Sequence, residues 1–219
     1  MRVLAFDTAT AATAVALGEL ERRDDPPAGA RPGHAQKLLR LIHELLEQSG
    51  SGWSDIDRIA VGVGPGTFTG LRIGIATAHA LSQSTGIPLV GVSTLASLEL
   101  AAREVFDAGR PVLAVIDARR GEAFAAGAGL SPAVLTPEAL GEVAGTQASN
   151  GVIAVGDGAL RFRETLERVG ASVPEDSSPL HRVCARYHCW LAEAALPSEG
   201  NRVEPEYLRV PDAELTRPG

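Results

Sequence analysis

One pattern of residues occurs twice in this chain and constrains its fold more than any other feature. Residues 2–20, RVLAFDTATAATAVALGEL, form a strand-like run that ends at Asp7 and continues through a threonine-rich turn into a second strand. Residues 110–129, RPVLAVIDARRGEAFAAGAG, repeat this order with Asp117 in the place of Asp7. The repeat predicts two matched halves facing each other across a cleft, an arrangement suited to metal and phosphate chemistry. Two unrelated strands that both end in aspartate explain this pattern alone equally well.

Helical and strand-like segments alternate along the rest of the chain. Residues 152–170, VIAVGDGALRFRETLERVG, predict a strand, a Gly-Asp-Gly turn and a helix, and glycine there lets a ligand or another backbone approach closely. The alternation favours an α/β architecture with helices packed on sheets. At 219 residues the chain is long enough for two lobes. We place the N-terminal lobe at residues 1–104 and a smaller, degenerate C-terminal lobe at residues 105–219.

The composition narrows the classes of function. A formal net charge of −7 argues against nucleic-acid binding by the chain alone, because such binding depends on Lys and Arg neutralising phosphates. Asp7 and three threonines interrupt the apolar N-terminus, and no later run approaches membrane-spanning length, so we expect a cytoplasmic protein without membrane contact. Cys184 and Cys189 are too few for a disulfide framework, and we expect free thiols.

A glycine-rich segment, residues 62–81 (GVGPGTFTGLRIGIATAHAL), looks like a nucleotide-binding turn between a strand and a helix. A Walker A loop ends in Gly-Lys-Ser/Thr, whereas this turn continues with Gly-Leu-Arg at residues 70–72. The dinucleotide fingerprint fails too, because no glycine occupies its third place. What is left is a helix N-terminus with Thr67 and Thr69 as candidate caps, which alone can hold an anion weakly or nothing.

Two helices carry apolar residues in patterns that indicate contacts beyond one chain. Residues 34–50, HAQKLLRLIHELLEQSG, predict an amphipathic helix with a wide apolar face, and the helix after the glycine turn is apolar all round. Gly70, Gly74 and Ala78 form a flat strip along which another backbone can approach. We predict that both helices join two helices of another subunit, with burial inside one chain as the alternative. The predicted interface residues are His34, Leu38, Leu41, Ile42, Leu45, Gly70, Leu71, Arg72, Gly74, Ile75, Ala78 and His79.

Metal and nucleophile sites find little support in the sequence. A metal pair beginning at His34 would need a second histidine three or four residues later, where Lys37 and Leu38 stand. The stripe His181, Cys184 and His188 could ligate zinc, but a packed helix explains it better. The sequence has no Gly-x-Ser-x-Gly elbow, so a serine hydrolase is unsupported. We therefore predict neither a catalytic residue nor a metal site.

Taken together, these motifs resemble the bacterial TsaB (YeaZ) family of tRNA threonylcarbamoyladenosine biosynthesis. The resemblance runs nearly end to end, through VLAFDTAT, HAQKLLRLIHELL, GVGPGTFTGLRIGIATAHAL, GIPLVGVSTLASL, IDARRGEAF, VGDGA and PEYLR. It implies the actin, Hsp70 and sugar-kinase (ASKHA) type of α/β fold, with two related lobes of mixed sheets flanked by helices. It also implies that turns of this chain are candidates for holding a nucleotide or lining an interface. These are Asp7, Thr8, Thr10, Gly64, Gly66, Thr67, Thr69, Asp117, Gly156, Asp157 and Gly158.

The same resemblance implies a function. TsaB-like proteins are noncatalytic subunits that pair with a TsaD-like catalytic subunit, with a TsaE-like ATPase joining. The complex passes threonylcarbamoyl from its adenylate to N6 of adenosine 37 in tRNAs reading codons that begin with A. TsaD carries a His-x-x-x-His metal pair where this sequence has His34 and Leu38, so the iron-dependent chemistry is implied to belong to the partner.

Further expectations follow from the resemblance, and one rival hypothesis stays open. The chain is expected to have no cofactor of its own, to meet ATP or ADP at the complex interface, and to contact tRNA only through the complex. A homodimer through the two interface helices when the partner is absent is a further hypothesis, which does not depend on the resemblance. The rival is a self-sufficient ATP-dependent phosphotransferase, which Asp7 and Asp117 would permit, although no lysine or further carboxylate is convincingly placed to act on a substrate.

Overall fold

The computed structural model describes residues 1–27 and 29–209. Two β-sheets, each with helices packed against it, make up this part of the chain. Residues 210–219, in the predicted C-terminal lobe, and Ala28, in the predicted N-terminal lobe, lie outside the described residues. None of the described helices has both the length and the apolar character that crossing a membrane requires.

The first sheet has five strands in the order β3-β2-β1-β4-β5. Strand β1 pairs antiparallel with β2 and parallel with β4, so the sheet is mixed. Every residue of β1 is buried, as expected for a central strand covered on both faces. The strands are β1 (Val3–Asp7), β2 (Thr13–Leu17), β3 (Leu20–Asp24), β4 (Arg58–Gly64) and β5 (Leu89–Ser93).

The second sheet repeats the core of the first. Its order is β8-β7-β6-β9, and β6 pairs antiparallel with β7 and parallel with β9, as β1 does with β2 and β4. The repeated sequence pattern is therefore a structural repeat, and Asp7 and Asp117 both end the first strand of their sheet. The strands are β6 (Val112–Asp117), β7 (Ala123–Gly127), β8 (Leu130–Leu135) and β9 (Ile153–Val155).

Seven α-helices are found in the described residues. Two of them, α1 (His34–Ser49) and α2 (Phe68–Thr85), pack on one face of the first sheet. Gly50 ends α1 in a left-handed conformation, with φ of 62°, which only glycine adopts readily. The others are α3 (Thr94–Val105), α4 (Pro137–Thr146), α5 (Asp157–Arg161), α6 (Arg163–Arg168) and α7 (Ala185–Ala194).

Two helices tie the sheets together. Helix α3 packs its leucines on β6 and β7 of the second sheet, although it follows β5 in the chain. Helix α7 comes after the second sheet but buries Ala185, Cys189 and Ala192 against β1, β2, β4 and β5 of the first. A domain boundary at residue 104 stays a prediction, since the packing links both sides of it.

The glycine-rich turn packs against the β1–β2 turn of its own chain. A Cβ atom at Gly70 would overlap the Thr8 carbonyl oxygen, and one at Gly74 would overlap the Thr8 hydroxyl. The Thr8 hydroxyl donates to the Gly70 carbonyl at 2.7 Å, and the Thr67 amide donates to the Ala9 carbonyl at 2.7 Å. The interpretation of the small-residue strip as the contact for a partner helix is therefore wrong, because its glycines make room for Thr8.

This packing predicts that Gly70→Ala destabilises the fold itself. The added methyl group must displace the backbone at Thr8, which we expect to lower the free energy of unfolding by about 1–3 kcal/mol in urea denaturation. Gly109→Ala is the matched control, because nothing lies within 4 Å of a Cβ atom there. Equal stability of the two variants would contradict the close approach at Gly70.

Candidate functional site

The Asp7 carboxylate at the end of β1 is buried and fully engaged by its own chain. Oδ1 accepts a hydrogen bond from the Ala9 amide at 2.7 Å. Oδ2 accepts one from the Thr94 hydroxyl at 2.8 Å and another from His188 Nε2 at 3.0 Å. Gly62 on β4 leaves room for this carboxylate, since a Cβ atom there would overlap Oδ2. The site therefore joins β1, β4, α3 and α7 at one point.

The environment keeps Asp7 ionised. Burial raises its pKa, but the hydrogen bond and charge of His188, with the bonds from Ala9 and Thr94, outweigh that effect and hold the pKa below its ordinary value. His188 is fully buried, and its Nδ1 has no hydrogen-bond partner among the described residues. A buried carboxylate with this set of donors is an internal structural pair and not an open ligand for a metal ion or a phosphate.

The sequence predicted Asp7 but missed its partners. Thr94 and His188 are 87 and 181 residues away along the chain, so no local spacing connects them to Asp7. In the sequence, His188 stands out only as part of the stripe with His181 and Cys184. The structure breaks that stripe up: His181 lies in a 3₁₀ turn, Cys184 precedes α7, and only His188 is inside the helix. The one sequence signal for this pair is that His188 is a polar residue on the buried face of α7.

The second aspartate lies in a more open setting. Asp117 Oδ1 accepts from the Arg119 amide at 2.8 Å, and its Oδ2 contacts the Nη1 atoms of Arg119 and Arg161 at 3.2 and 3.4 Å. Asp157 Oδ1 accepts from the Asp117 amide at 3.1 Å. Burial raises the pKa of Asp157 to about 6, and the charge of Asp117 adds to that effect. At neutral pH, the ionised form of Asp157 is therefore destabilised by its burial.

The glycines that flank Asp157 serve packing. A Cβ atom at Gly156 would overlap the Val115 carbonyl, and one at Gly158 would lie 2.7 Å from the Ile116 carbonyl carbon. The backbone that approaches this turn is therefore β6 of the same chain, which is one of the two alternatives that the sequence leaves open for these glycines. A nucleotide or interface role for Gly156, Asp157 and Gly158 stays a prediction.

The predicted turn residues around α2 also contact their own chain. A Cβ atom at Gly64 would lie 3.1 Å from a Leu71 methyl carbon, and one at Gly66 would overlap the Ala9 carbonyl. Thr67 occupies the N-cap position of α2, but its side chain makes no capping hydrogen bond, and Thr69 lies inside the helix. The turn fixes the position of Thr8 and Ala9, which directly follow Asp7.

A cleft of about 140 Å³ lies between the two halves. Its polar lining comes from Thr10, Asp25, Asp157, His181 and Arg182. Small-molecule sites usually measure about 300–1,000 Å³, so this cleft is smaller than most of them. Thr10 and Asp157 both line this cleft, whereas Asp7 and Asp117, the two residues that the repeat predicts to face a cleft, do not.

The predicted interface residues lie mostly inside this chain. All of them except Arg72 and His79 are buried, with the leucines of α1 packed on the first sheet in one cluster with Ile75 and Ala78. His34 is buried as well, where its Nδ1 pairs with the Thr13 hydroxyl at 2.8 Å. Burial within one chain is thus the correct alternative for these side chains, because they form the core between helices and sheet.

Arg72 and His79 contact a tail segment that follows α7. The Arg72 guanidinium lies 3.8 Å from the centre of the Phe68 ring and donates from Nε to the Tyr207 hydroxyl at 3.3 Å. His79 Nε2 lies 2.9 Å from the Val203 carbonyl. An interface on the outer faces of α1 and α2 stays a prediction, and this tail would form part of it.

The remaining metal and thiol candidates are inert in this fold. No group of three or more His, Cys, Asp or Glu side chains within residues 1–27 and 29–209 is arranged to hold a metal ion. Cys184 and Cys189 are free, and burial raises the pKa of each thiol to about 12. Neither thiol is therefore a nucleophile at neutral pH.

Removing the Asp7 charge should destabilise the fold. Asp7→Asn leaves His188 without its carboxylate, and we expect a loss of about 3–5 kcal/mol in the free energy of unfolding at pH 7. Because the folded pKa of Asp7 is lowered, the ionic contribution exists above its ordinary pKa and fades as pH falls through the folded pKa. In urea denaturation, the difference in the free energy of unfolding between the wild type and Asp7→Asn should be smaller at pH 3 than at pH 7. The exposed Asp107→Asn should cost less than about 0.5 kcal/mol.

The raised pKa of Asp157 predicts a pH dependence of stability opposite to that of Asp7. Its folded pKa of about 6 lies above the ordinary 3.8, so the folded state holds its proton longer and stability falls as pH rises between these values. Asp157→Asn should therefore raise the free energy of unfolding above pH 6 by about 1–3 kcal/mol and flatten this pH dependence. Denaturation midpoints from pH 4 to pH 8 measure it, and an unchanged slope would contradict the burial of this carboxylate.

A family model and curated proteins each match more than half of this chain. Residues 26–150 match the family model described as TsaD: tRNA N6-adenosine threonylcarbamoyltransferase. TsaB of Escherichia coli (strain K12), a tRNA threonylcarbamoyladenosine biosynthesis protein, is 42% identical over 129 residues, which cover 57% of this chain and 53% of that protein. The chain thus spans about half the length of the curated relatives it matches.

Solved structures extend the match to the whole fold. A Pseudomonas aeruginosa protein described as similar to peptidase YEAZ is 30% identical, with a TM-score of 0.77 over 95% of this chain and 99% of that chain. A ROK hexokinase from Thermus thermophilus shares only the fold, with a TM-score of 0.52 at 12% identity over 89% of this chain and 100% of that one. The predicted ASKHA-type fold is confirmed. The chain belongs to the TsaB/YeaZ family, within the wider TsaD family whose model it matches.

Proposed function

We propose that this chain is a noncatalytic scaffold subunit of the complex that makes threonylcarbamoyladenosine in tRNA. In this proposal it pairs with a TsaD-like catalytic subunit, which transfers threonylcarbamoyl from threonylcarbamoyl-adenylate to N6 of adenosine 37 in tRNAs reading codons that begin with A. The names of the matching relatives, tRNA threonylcarbamoyladenosine biosynthesis protein TsaB, support the pathway. A TsaE-like ATPase would join the pair.

The engagement of Asp7 by its own chain carries the noncatalytic part of the proposal. A phosphotransferase of the rival kind needs an open carboxylate at the end of its first strand, beside a cleft that admits a nucleotide. Here Thr94 and His188 occupy the Asp7 carboxylate, and the cleft of about 140 Å³ is smaller than most small-molecule sites, which measure about 300–1,000 Å³. These features favour a chain that acts by assembly, with no cofactor of its own and with ATP or ADP at the junction with its partner.

The outer faces of α1 and α2 offer the surface for that assembly. Leu39 on α1 is 56% exposed, and Phe68 at the start of α2 is 37% exposed. Ala76 and Ala80 are exposed along α2, so a partner helix can approach the backbone there without meeting a large side chain. Two helices presenting this face can form a four-helix contact with two helices of the partner, and a homodimer through the same face when the partner is absent.

The test is reconstitution with the TsaD-like protein of the same host. Size-exclusion chromatography with light scattering should give a complex, and mass spectrometry of digested tRNA should detect threonylcarbamoyladenosine only when both proteins are present with their substrates. Leu39→Arg should weaken pairing at least about tenfold, because a charge replaces an apolar contact at the interface. It should leave the thermal midpoint unchanged, since Leu39 is exposed.

The matched control is Val105→Arg, a substitution at a helical side chain that is 63% exposed at the end of α3, which packs on the second sheet. It should pair as the wild type does. If Leu39→Arg binds the TsaD-like partner as tightly as the wild type does, the predicted interface on α1 is wrong. Absence of any complex, together with ATP turnover by the isolated chain, would favour the phosphotransferase instead.

A further inference from the structure

The guanidinium group of Arg72, near the start of α2, is held in place by two aromatic side chains. Its carbon atom lies 3.8 Å from the centre of the Phe68 ring, one helical turn earlier. Its Nε donates to the Tyr207 hydroxyl at 3.3 Å, and the rings of Phe68 and Tyr207 stack with their centres 5.3 Å apart. The tail segment that carries Tyr207 is fixed in turn, because the Glu206 amide donates to the Val63 carbonyl at 2.8 Å. The exposed Arg72 side chain is therefore ordered on the surface.

This ordered guanidinium has no carboxylate partner. Within residues 1–27 and 29–209, no Asp or Glu forms an ion pair with Arg72, and only its Nε donates a hydrogen bond. Other exposed arginines on long helices differ, since Arg40 and Arg103 each pair with a glutamate of their own helix. A guanidinium carries five N–H donors in a rigid, planar arrangement, so both Nη groups of Arg72 stay available. These two Nη groups are called the Arg72 fork below.

The fork stands at one end of the exposed row of small residues on α2. Arg72, Ala76 and Ala80 follow one another at intervals of four residues, so they share one face of the helix, and all three are exposed. A partner that approaches the backbone at Ala76 and Ala80 meets the fork one turn earlier. Paired N–H groups of this kind match the two oxygens of a carboxylate. The surface therefore fits a protein that places an Asp or Glu at this point.

A second copy of this chain offers no such carboxylate on the same face. Helix α2 contains neither Asp nor Glu. The two acidic residues of α1, Glu44 and Glu47, already contact Arg40 and His43 of their own helix. A twofold contact through this face would also repeat the Arg72 charge on both sides. Charge complementarity therefore favours a different protein as the occupant.

We propose that the Arg72 fork receives a carboxylate of the TsaD-like partner and thereby selects that partner over a second copy of this chain. The inference rests on the proposed function and deepens it, because it names the contact that makes the interface specific. Phe68 and Tyr207 hold the guanidinium in place before the partner arrives, which reduces the entropy lost on binding. Tyr207 is thus a positioning residue for Arg72.

The test compares the dissociation constant of the complex with that of the homodimer. Titration calorimetry with the TsaD-like protein of the same host measures the first, and analytical ultracentrifugation of the isolated chain measures the second. Arg72→Gln should weaken the complex at least about tenfold, because a charge-assisted pair is lost, and should change the homodimer by less than about twofold. Arg72→Lys should weaken the complex at least about fivefold, since an ammonium group cannot form the paired contact. If the isolated chain does not self-associate, the complex alone decides.

The matched control is Arg103→Gln on α3, which removes the same charge from an exposed arginine of the helix that packs on the second sheet. It should bind the partner as the wild type does. The thermal midpoints of Arg72→Gln and Arg72→Lys should equal that of the wild type, because Arg72 is exposed.

Double-mutant cycles test the two sides of the contact. Tyr207→Phe should weaken the complex about threefold in the wild-type chain and have no effect in Arg72→Gln, because Tyr207 acts through Arg72. Equal losses in both backgrounds would contradict the positioning role. On the partner, Asn or Gln in place of one exposed carboxylate should couple strongly to Arg72→Gln. Coupling to none of the partner's exposed carboxylates would overturn the proposal.

Three further results would also overturn the proposal. Arg72→Gln or Arg72→Lys binding the partner as tightly as the wild type would show that the fork makes no paired contact. Equal losses in the complex and the homodimer would make a second copy the occupant. A loss of affinity that appears only when ADP is added would make the fork a phosphate site.

The variant Leu39→Arg separates this inference from the proposed function. If Leu39→Arg weakens the complex and Arg72→Gln does not, the fork is wrong and the scaffold role stands. Failure of the wild-type chain to form the complex would overturn the scaffold role, and the inference with it.

Discussion

The hydrogen-bonded pair of Asp7 and His188 is the interaction on which the arrangement of the molecule depends. It sets an ionised carboxylate at the end of β1 against a helix that comes after the whole second sheet. Thr94 adds the start of α3 to the same point, so three distant parts of the chain meet on one side chain. Because a buried charge is costly without its partners, these parts must assemble together.

The glycine-rich segment supports that junction from the other side. Its glycines leave room for Thr8 and Ala9, the residues that carry the chain away from Asp7, and Gly62 leaves room for the carboxylate itself. A segment that looks like a ligand-binding loop in the sequence is therefore a packing surface for a neighbouring turn. Gly156 and Gly158 likewise leave room for the backbone of β6.

The sequence predicted the repeat, the α/β class and the helices, because each depends on local periodicity and on the order of apolar runs. It did not predict which faces of α1 and α2 are buried. Leu38 and Leu45 have the pattern of an interface and of a core helix alike, and only the position of the first sheet decides between them. The partners of Asp7 were missed because contacts between distant residues leave no spacing signal, and α7 was not expected to return to the first sheet.

That return has a consequence for how the chain is made. Strands β1, β2 and β4 are synthesised early, yet Ala185, Cys189 and Ala192 of α7 cover one of their faces. Until α7 has left the ribosome, the first sheet has an uncovered apolar face and Asp7 has no imidazole beside it. The N-terminal half therefore cannot complete its own core during translation, and a nascent chain stalled before residue 185 would present that face to chaperones.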